Sequence, residues 1–290
     1  MTMEYMQTFR ARWKEWLAGL LLLANILVWA AVLGRRADGN LRVYFLDVGQ
    51  GDAILIDSPS HGRVLIDGGR NRTVLSQLGK ILPFADKRID AIIATHPDAD
   101  HIGGLPEVVR RYDVGLIIEP GVESDNDIDD ELAKRVDEKN IETVLARRGQ
   151  VINFGDGVRL TILFPDRDVS NWETNDASVV ARLEYGESSF LFTGDSPIRI
   201  ENILLGLNKQ ILDTDVLKAG HHGSRTSTSL TFAEAVSPEY AVISAGKDNT
   251  YGHPHKEVLN ILEKVGAKIL STIDSGTIEF ETDGKTLKIK

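Results

Sequence analysis

From residue 41 onward, short runs of apolar and β-branched residues alternate with stretches in which apolar residues recur at helical spacing. The runs predict strands at 41–46, 53–56, 63–66, 89–94, 114–118, 150–153 and 159–163. Further strands are predicted at 178–183, 189–192, 216–218, 240–243, 268–271, 277–280 and 286–289. The helical spacing predicts helices over 73–82, 106–112, 127–138, 197–205, 229–236 and 254–265. In the last, Val258, Leu259 and Leu262 share a face opposite Glu257 and Lys264. Strands dominate the first half, helices fall between them, and the theme returns in the second half. That order predicts an α+β domain of two sheets covered by helices, running unbroken over 41–290.

The N-terminal pattern is different. Residues 16–34 are uncharged and apolar on every face, which suits a bilayer span better than a core helix. The stretch is long for a cleaved leader and no small-x-small site follows it. The expected organisation is therefore a short segment (1–15), a transmembrane signal anchor (16–34), a linker (35–40) and the main domain (41–290). Arg10, Arg12 and Lys14 precede the span and Arg35, Arg36 and Arg42 follow it, so charge leaves its orientation open.

Composition narrows the chemistry. With 290 residues, 42% hydrophobic and 26% charged, the chain can bury a core. A net charge of -10 excludes a broad basic face for gripping nucleic acid. There is no cysteine, so any metal must be held by His, Asp and Glu.

Such residues cluster in Thr95-His96-Pro97-Asp98-Ala99-Asp100-His101-Ile102-Gly103-Gly104, directly after the apolar strand at 89–94. Two imidazoles and two carboxylates on a tight turn at a strand end can converge on one cation. His221 and His222 follow the strand at 216–218; since adjacent side chains diverge, only one need face a metal, and His222 is favoured. Asp67 ends a strand in Leu-Ile-Asp-Gly-Gly and is expected to brace the metal loop by hydrogen bonds. Asp47 and Asp52 flank the Gly49-Gln50-Gly51 turn, Asp47 is expected to be structural, and Gln50 could approach a substrate. His253, before Pro254, is a candidate general acid or phosphate contact. Lys218 is ambiguous on the sequence alone.

The cluster resembles the HxHxDH motif of metallo-β-lactamase-fold hydrolases, with Asp98 in place of the second His. Together with Asp47-Val48-Gly49-Gln50-Gly51-Asp52, Asn175-Asp176-Ala177-Ser178, Phe192-Thr193-Gly194-Asp195, Leu217-Lys218-Ala219-Gly220-His221-His222-Gly223-Ser224 and Tyr251-Gly252-His253-Pro254-His255, it is similar to the hydrolase domain of the competence protein ComEC family. The resemblance implies a four-layer αββα sandwich. It makes Asp195 the metal-bridging carboxylate, with His96, Asp98, Asp100, His101 and His221 or His222 as further ligands and Asp100 and His253 as catalytic residues. No histidine lies between His101 and His221, so Asp176 or Asn175 would stand in for the usual third imidazole. Asn175, Ser224 and Gln50 are the candidate substrate contacts.

Oxygen in place of imidazole hardens the site, which brings Mn²⁺ and Mg²⁺ into play beside Zn²⁺, as one ion or two. The resemblance implies a phosphodiester substrate, single-stranded DNA included, and a catalytic domain outside the cytoplasm. The alternatives are hydrolysis of a small phosphoester or lactone, and a catalytically silent envelope binding module.

Overall fold

Alternating burial builds two sheets. In β1 (Leu41–Phe45), Leu41, Val43 and Phe45 are fully buried on one face, while Tyr44 and Leu46 just beyond the strand pack on the other. The computed structural model describes residues 13–26 and 39–290, in two units, residues 1–38 and 39–290, each treated by itself.

The first sheet of the larger unit has eight strands, in the order β15 (Leu287–Ile289), β14 (Ile278–Thr282), β1, β2 (Ile54–Asp57), β3 (Arg63–Ile66), β4 (Arg88–Ile93), β5 (Asp113–Glu119) and β6 (Glu142–Leu145). The second has seven, in the order β13 (Lys268–Ser271), β12 (Tyr240–Ile243), β11 (Val216–Lys218), β10 (Ser188–Phe192), β9 (Val180–Tyr185), β8 (Arg159–Phe164) and β7 (Val151–Asn153). Their inner faces share one core, in which Val43, Ile56, Ile66 and Ile93 of the first sheet meet Leu160, Ala181, Phe190 and Val216 of the second.

Helices cover both outer faces. On the first lie α2 (Thr73–Ile81), α3 (Ala99–Ile102), α4 (Leu105–Arg111) and α5 (Asp127–Lys139), which bury Leu78, Ile102, Val108 and Leu132 against it. On the second lie α6 (Ile198–Asn208), α7 (Leu230–Val236) and α8 (Lys256–Lys264), which bury Leu204, Phe232 and Leu262. The short α9 (Thr272–Ser275) follows β13. The domain is thus an αββα sandwich, as the resemblance implies.

Each sheet changes from antiparallel to parallel pairing partway across: β2 pairs β3 antiparallel and β3 pairs β4 parallel, while β9 pairs β10 antiparallel and β10 pairs β11 parallel. Loops leaving the carboxyl ends of parallel strands at such a switch form a crevice, and the candidate site lies there.

Three elements, β6, α3 and the single turn α9, escape the sequence pattern. β6 is an edge strand with three of its four residues exposed, so it has no apolar face to read. α3 is a single turn inside the metal-loop motif. The helix α1, described over residues 13–26, covers part of the expected membrane span; residues 27–34 lie outside the described residues, and among the described residues no helix is long and apolar enough to cross a membrane.

Phe280 ties the inter-sheet core together, with ring centroids 5.9 Å from Phe45, 5.8 Å from Phe190 and 5.5 Å from Tyr240. Phe280→Ala is expected to cost about 3–5 kcal/mol of stability, read as a lowered urea midpoint at constant slope.

Candidate metal centre

The loop after β4 is shaped by close backbone contacts. A Cβ on Gly103 would collide with the carbonyl of Arg70, and one on Gly51 with the carbonyl of Asp100, so the Gly-Gln-Gly turn packs directly on the metal loop. Asn126, the N-cap of α5, accepts from the Ile128 and Asp129 N–H groups and donates 2.7 Å to the Pro97 carbonyl, pinning the loop from outside.

Three imidazoles converge behind this loop. His96, His101 and His222 are at most 1% exposed. Each has its Nδ1 engaged: His101 with Asp67 Oδ2 at 2.7 Å, His222 with the Ser244 carbonyl at 2.8 Å, and His96 with Thr95 Oγ1 at 3.0 Å. The Thr95 hydroxyl gives its hydrogen to Asp67 at 2.7 Å and so can accept from His96 Nδ1–H. The three Nε2 atoms are buried without a hydrogen-bond partner, as is Asp195 Oδ1. Imidazoles oriented through Nδ1 with Nε2 free are arranged as metal ligands are.

These Nε2 atoms gather about Asp195. His101 Nε2 lies 3.3 Å from Asp195 Oδ1, and His222 Nε2 lies 3.4 Å from Asp195 Oδ2 and 3.3 Å from Asp100 Oδ2. Two groups follow, each with donor atoms within 4.8 Å of one another: His96, His101 and Asp195, and Asp100, His101 and His222. The donor set fits divalent cations.

The electrostatics are those of a site short of positive charge. Burial opposes the imidazolium of His222, but Asp195, Asp52 and Asp100 outweigh it and raise its pKa to about 9. His101 is likewise raised well above the usual range, against burial, by Asp195 and Asp67. Burial and the neighbouring His101 push His96 down to about 3, so it stays neutral. Asp195 is held well below the usual carboxylate range, despite burial, by His222, His101 and Lys218. Cations that displace the protons on His101 and His222 take their place in the charge balance.

The other predicted residues fall around this centre. Asp67 also accepts from the Thr95 N–H at 2.8 Å, bracing the loop. Asp47 closes its turn by accepting from the Gly49 N–H at 3.2 Å. Asp98 sits at the rim, its side chain 36% exposed and 3.7 Å from His96 Nε2, outside the two groups above. Asp176 is ion-paired with Arg199 and is not brought into any His/Asp group among the described residues. Asn175 Oδ1 and Gln50 Nε2 are buried without partners. Ser224 is engaged within its own turn, accepting from Thr226 Oγ1 at 3.0 Å.

His221 departs from expectation. His221 (φ 49°) and His222 (φ 55°) are both left-handed, so they do not diverge as strand neighbours would, and His221 Nε2 also reaches within 3.6 Å of Asp195 Oδ2. His253 packs on this pair, with ring centroids 5.5 Å from His221 and 6.3 Å from His222. Burial and the adjacent histidines lower its pKa to about 4, which leaves it a neutral imidazole at pH 7 with no imidazolium proton to donate.

Sequence reasoning missed the pairing of Asp52 with Lys218. Lys218, fully buried, is ion-paired with Asp52, donates to the Gly194 carbonyl at 3.0 Å and stands 3.6 Å from Asp195 Oδ1. The available signal was a lysine in an otherwise apolar strand.

Asp67→Ala removes the acceptor that orients His101, and is expected to weaken metal affinity about 10–100-fold in competition with a chromophoric chelator.

The chain belongs to the metallo-beta-lactamase superfamily, whose family model matches residues 46–247. Within it, the chain is similar to ComEC-like competence proteins. It is 32% identical over 255 residues to ComE operon protein 3 of Bacillus subtilis, covering 82% of this chain and 32% of that protein. It is 34% identical over 265 residues to Competence protein ComA of Neisseria gonorrhoeae, covering 90% of this chain and 35% of that protein. The chain thus spans about a third of these relatives' length. Among solved structures, the metallo hydrolase Igni18 of Ignicoccus hospitalis shares the fold at 16% identity and a TM-score of 0.53, over 84% of this chain and 99% of that one.

Proposed function

We propose that the chain is a membrane-anchored, metal-dependent phosphodiesterase acting on DNA. The observation that carries the reading is the convergence of three oriented imidazoles, their Nε2 atoms unpartnered, on Asp195 and Asp100. When bound, divalent cations supply Lewis acidity at a phosphoryl oxygen and lower the pKa of water. His96 and Asp195 would hold one ion, with Asp98 at its rim; Asp100, His101, His222 and Asp195 would hold a second. The carboxylate-rich set admits Mn²⁺ and Mg²⁺ as well as Zn²⁺. Gln50, through its unpartnered Nε2, and neutral His253, through a ring N–H, would donate hydrogen bonds to substrate oxygens.

A groove of about 350 Å³ is lined by Gln50, Arg70, Lys247, Asp248 and Tyr251, which places two cations and one carboxylate around Gln50 despite the acidic whole. The names of the competence relatives direct the substrate toward DNA. The apolar stretch at 16–34 would anchor the domain outside the cytoplasm, and in its described part Trp16, Leu20, Leu21 and Leu22 are at least 60% exposed. A reporter fused after Lys290 should be active only outside the cytoplasm; cytoplasmic signal overturns that placement.

The activity test takes the full chain in detergent with Mn²⁺, Zn²⁺ or Mg²⁺ against single-stranded DNA, bis-p-nitrophenyl phosphate and a lactone, beside Asp100→Ala. Cleavage of the two phosphodiesters, lost in the variant, is expected. Turnover of the lactone alone overturns the phosphodiester reading, and metal-dependent turnover of nothing overturns the enzyme reading.

A further inference from the structure

The His/Asp groups about Asp195 fall into two tiers. The outer tier is the pair already described, formed by Nε2 atoms and opening past Asp98 and Asp100, whose side chains are 36% and 26% exposed. The inner tier consists of Asp52, Asp67 and His101, and of Asp52, Asp195 and His222. Both inner groups contain Asp52, whose side chain is 2% exposed. Asp52 faces the Nδ1 edges of the rings, 3.5 Å from His222 Nδ1 and 3.8 Å from His101 Nδ1. By spacing, the carboxylates of the inner groups could take a divalent cation, the Nδ1 atoms beside them being held by Asp67 and the Ser244 carbonyl.

An ammonium already occupies that place. Lys218 Nζ is surrounded by oxygens of Asp52, Gly194 and Asp195 and is fully buried in the chain's interior. A buried lysine is costly unless its charge is matched, and this one is matched by the same carboxylates that would ligate an inner metal. The ammonium and an inner divalent ion cannot both take Asp52, because both need contact distance to its carboxylate and their charges repel.

We infer that Lys218 is a built-in cation that fills the inner tier and confines divalent metal to the outer, solvent-facing tier, where substrate can reach it. This rests on the reading of the site as a metal centre. Lys218 touches no substrate in this account; it is a positioning residue that decides where metal sits. Asp52 is its counter-charge and keeps it from neutralising Asp195.

The test counts metal in the full chain by equilibrium dialysis against Mn²⁺ with elemental analysis, and follows the Mn²⁺ electron paramagnetic resonance spectrum. Lys218→Met exposes the inner carboxylates and should bind one more ion per chain than the wild type, with a changed spectrum and a melting temperature that climbs with Mn²⁺. Lys218→Arg, which keeps the charge, and Lys218→Met/Asp52→Asn, which removes both charges, should bind the wild-type number. An unchanged count and spectrum in Lys218→Met overturns the inference. So does a Lys218→Met chain that stays unfolded in excess Mn²⁺, or a double variant that retains the extra ion. A wild-type chain that binds no metal at all instead defeats the metal-centre reading on which the inference rests.

Discussion

Asp195→Asn is expected to lower metal-dependent kcat/KM by at least about a thousandfold, equivalent to about 4 kcal/mol of transition-state stabilisation. The residue is 3% exposed, its Oδ1 has no hydrogen-bond partner, and both oxygens face imidazole Nε2 atoms. Asparagine preserves the shape and the backbone bond from the Asp195 N–H to Ser178 Oγ, at 3.2 Å, so the loop after β10 should hold. It removes the negative charge that faces His101 and His222 and puts a neutral amide opposite one of them. Steady-state kinetics at saturating Mn²⁺, beside a circular dichroism spectrum matching the wild type, check this. A loss smaller than tenfold contradicts a role for Asp195 at the centre of the site.

The second large effect is on the stability of the metal-free protein. The pKa of His222 is raised to about 9 in the fold against about 6.5 in an unfolded chain, so its proton stabilises the folded state. That contribution is complete below about pH 6.5 and is lost as pH rises through about 9, on the order of 3 kcal/mol in all. His101, raised in the same direction, steepens the loss. On the acid side His96 and His253, held neutral at about 3 and 4 in the fold, remove stability as pH falls below about 6.5, because the unfolded chain then binds protons that the fold refuses. Stability with chelator present should therefore peak near pH 6–7 and fall on both sides. Saturating metal should flatten the alkaline limb, since ligation requires His101 and His222 without those protons. Denaturant unfolding across pH 5–9.5, with and without Mn²⁺, measures both limbs. An alkaline limb that His222→Gln leaves unchanged in chelator shows that the carboxylate cluster does not hold this proton.

The fold was legible where local pattern and tertiary burial coincide. The apolar run of β1 and the helical spacing of Val258 and Leu262 in α8 reappear as buried faces. β6 was silent because an exposed edge strand has no second face to bury. For the site, His96, Asp98, Asp100 and His101 were legible as one short motif, since a single turn after β4 holds them together. Long-range partners were not. Asp176 was a candidate ligand by family resemblance, yet Arg199 at the start of α6 takes its carboxylate. Lys218 and Asp52 meet only because β11 and the turn before β2 come together in the crevice, and apolar periodicity carries no trace of that ion pair. That His221 and His222 both reach Asp195 depends on two consecutive left-handed residues, a backbone state that periodicity does not encode.

The central claim is that Asp195, Asp100 and the three oriented imidazoles form a working metal centre. It is tested most directly by stripping the full chain with chelator, titrating Mn²⁺ back, and recording bound metal and bis-p-nitrophenyl phosphate turnover in the same samples. No turnover is expected in the stripped protein, and the rate should rise in step with occupancy until the outer ligand groups are filled. Equal turnover with and without chelator, or none at full occupancy, would contradict it.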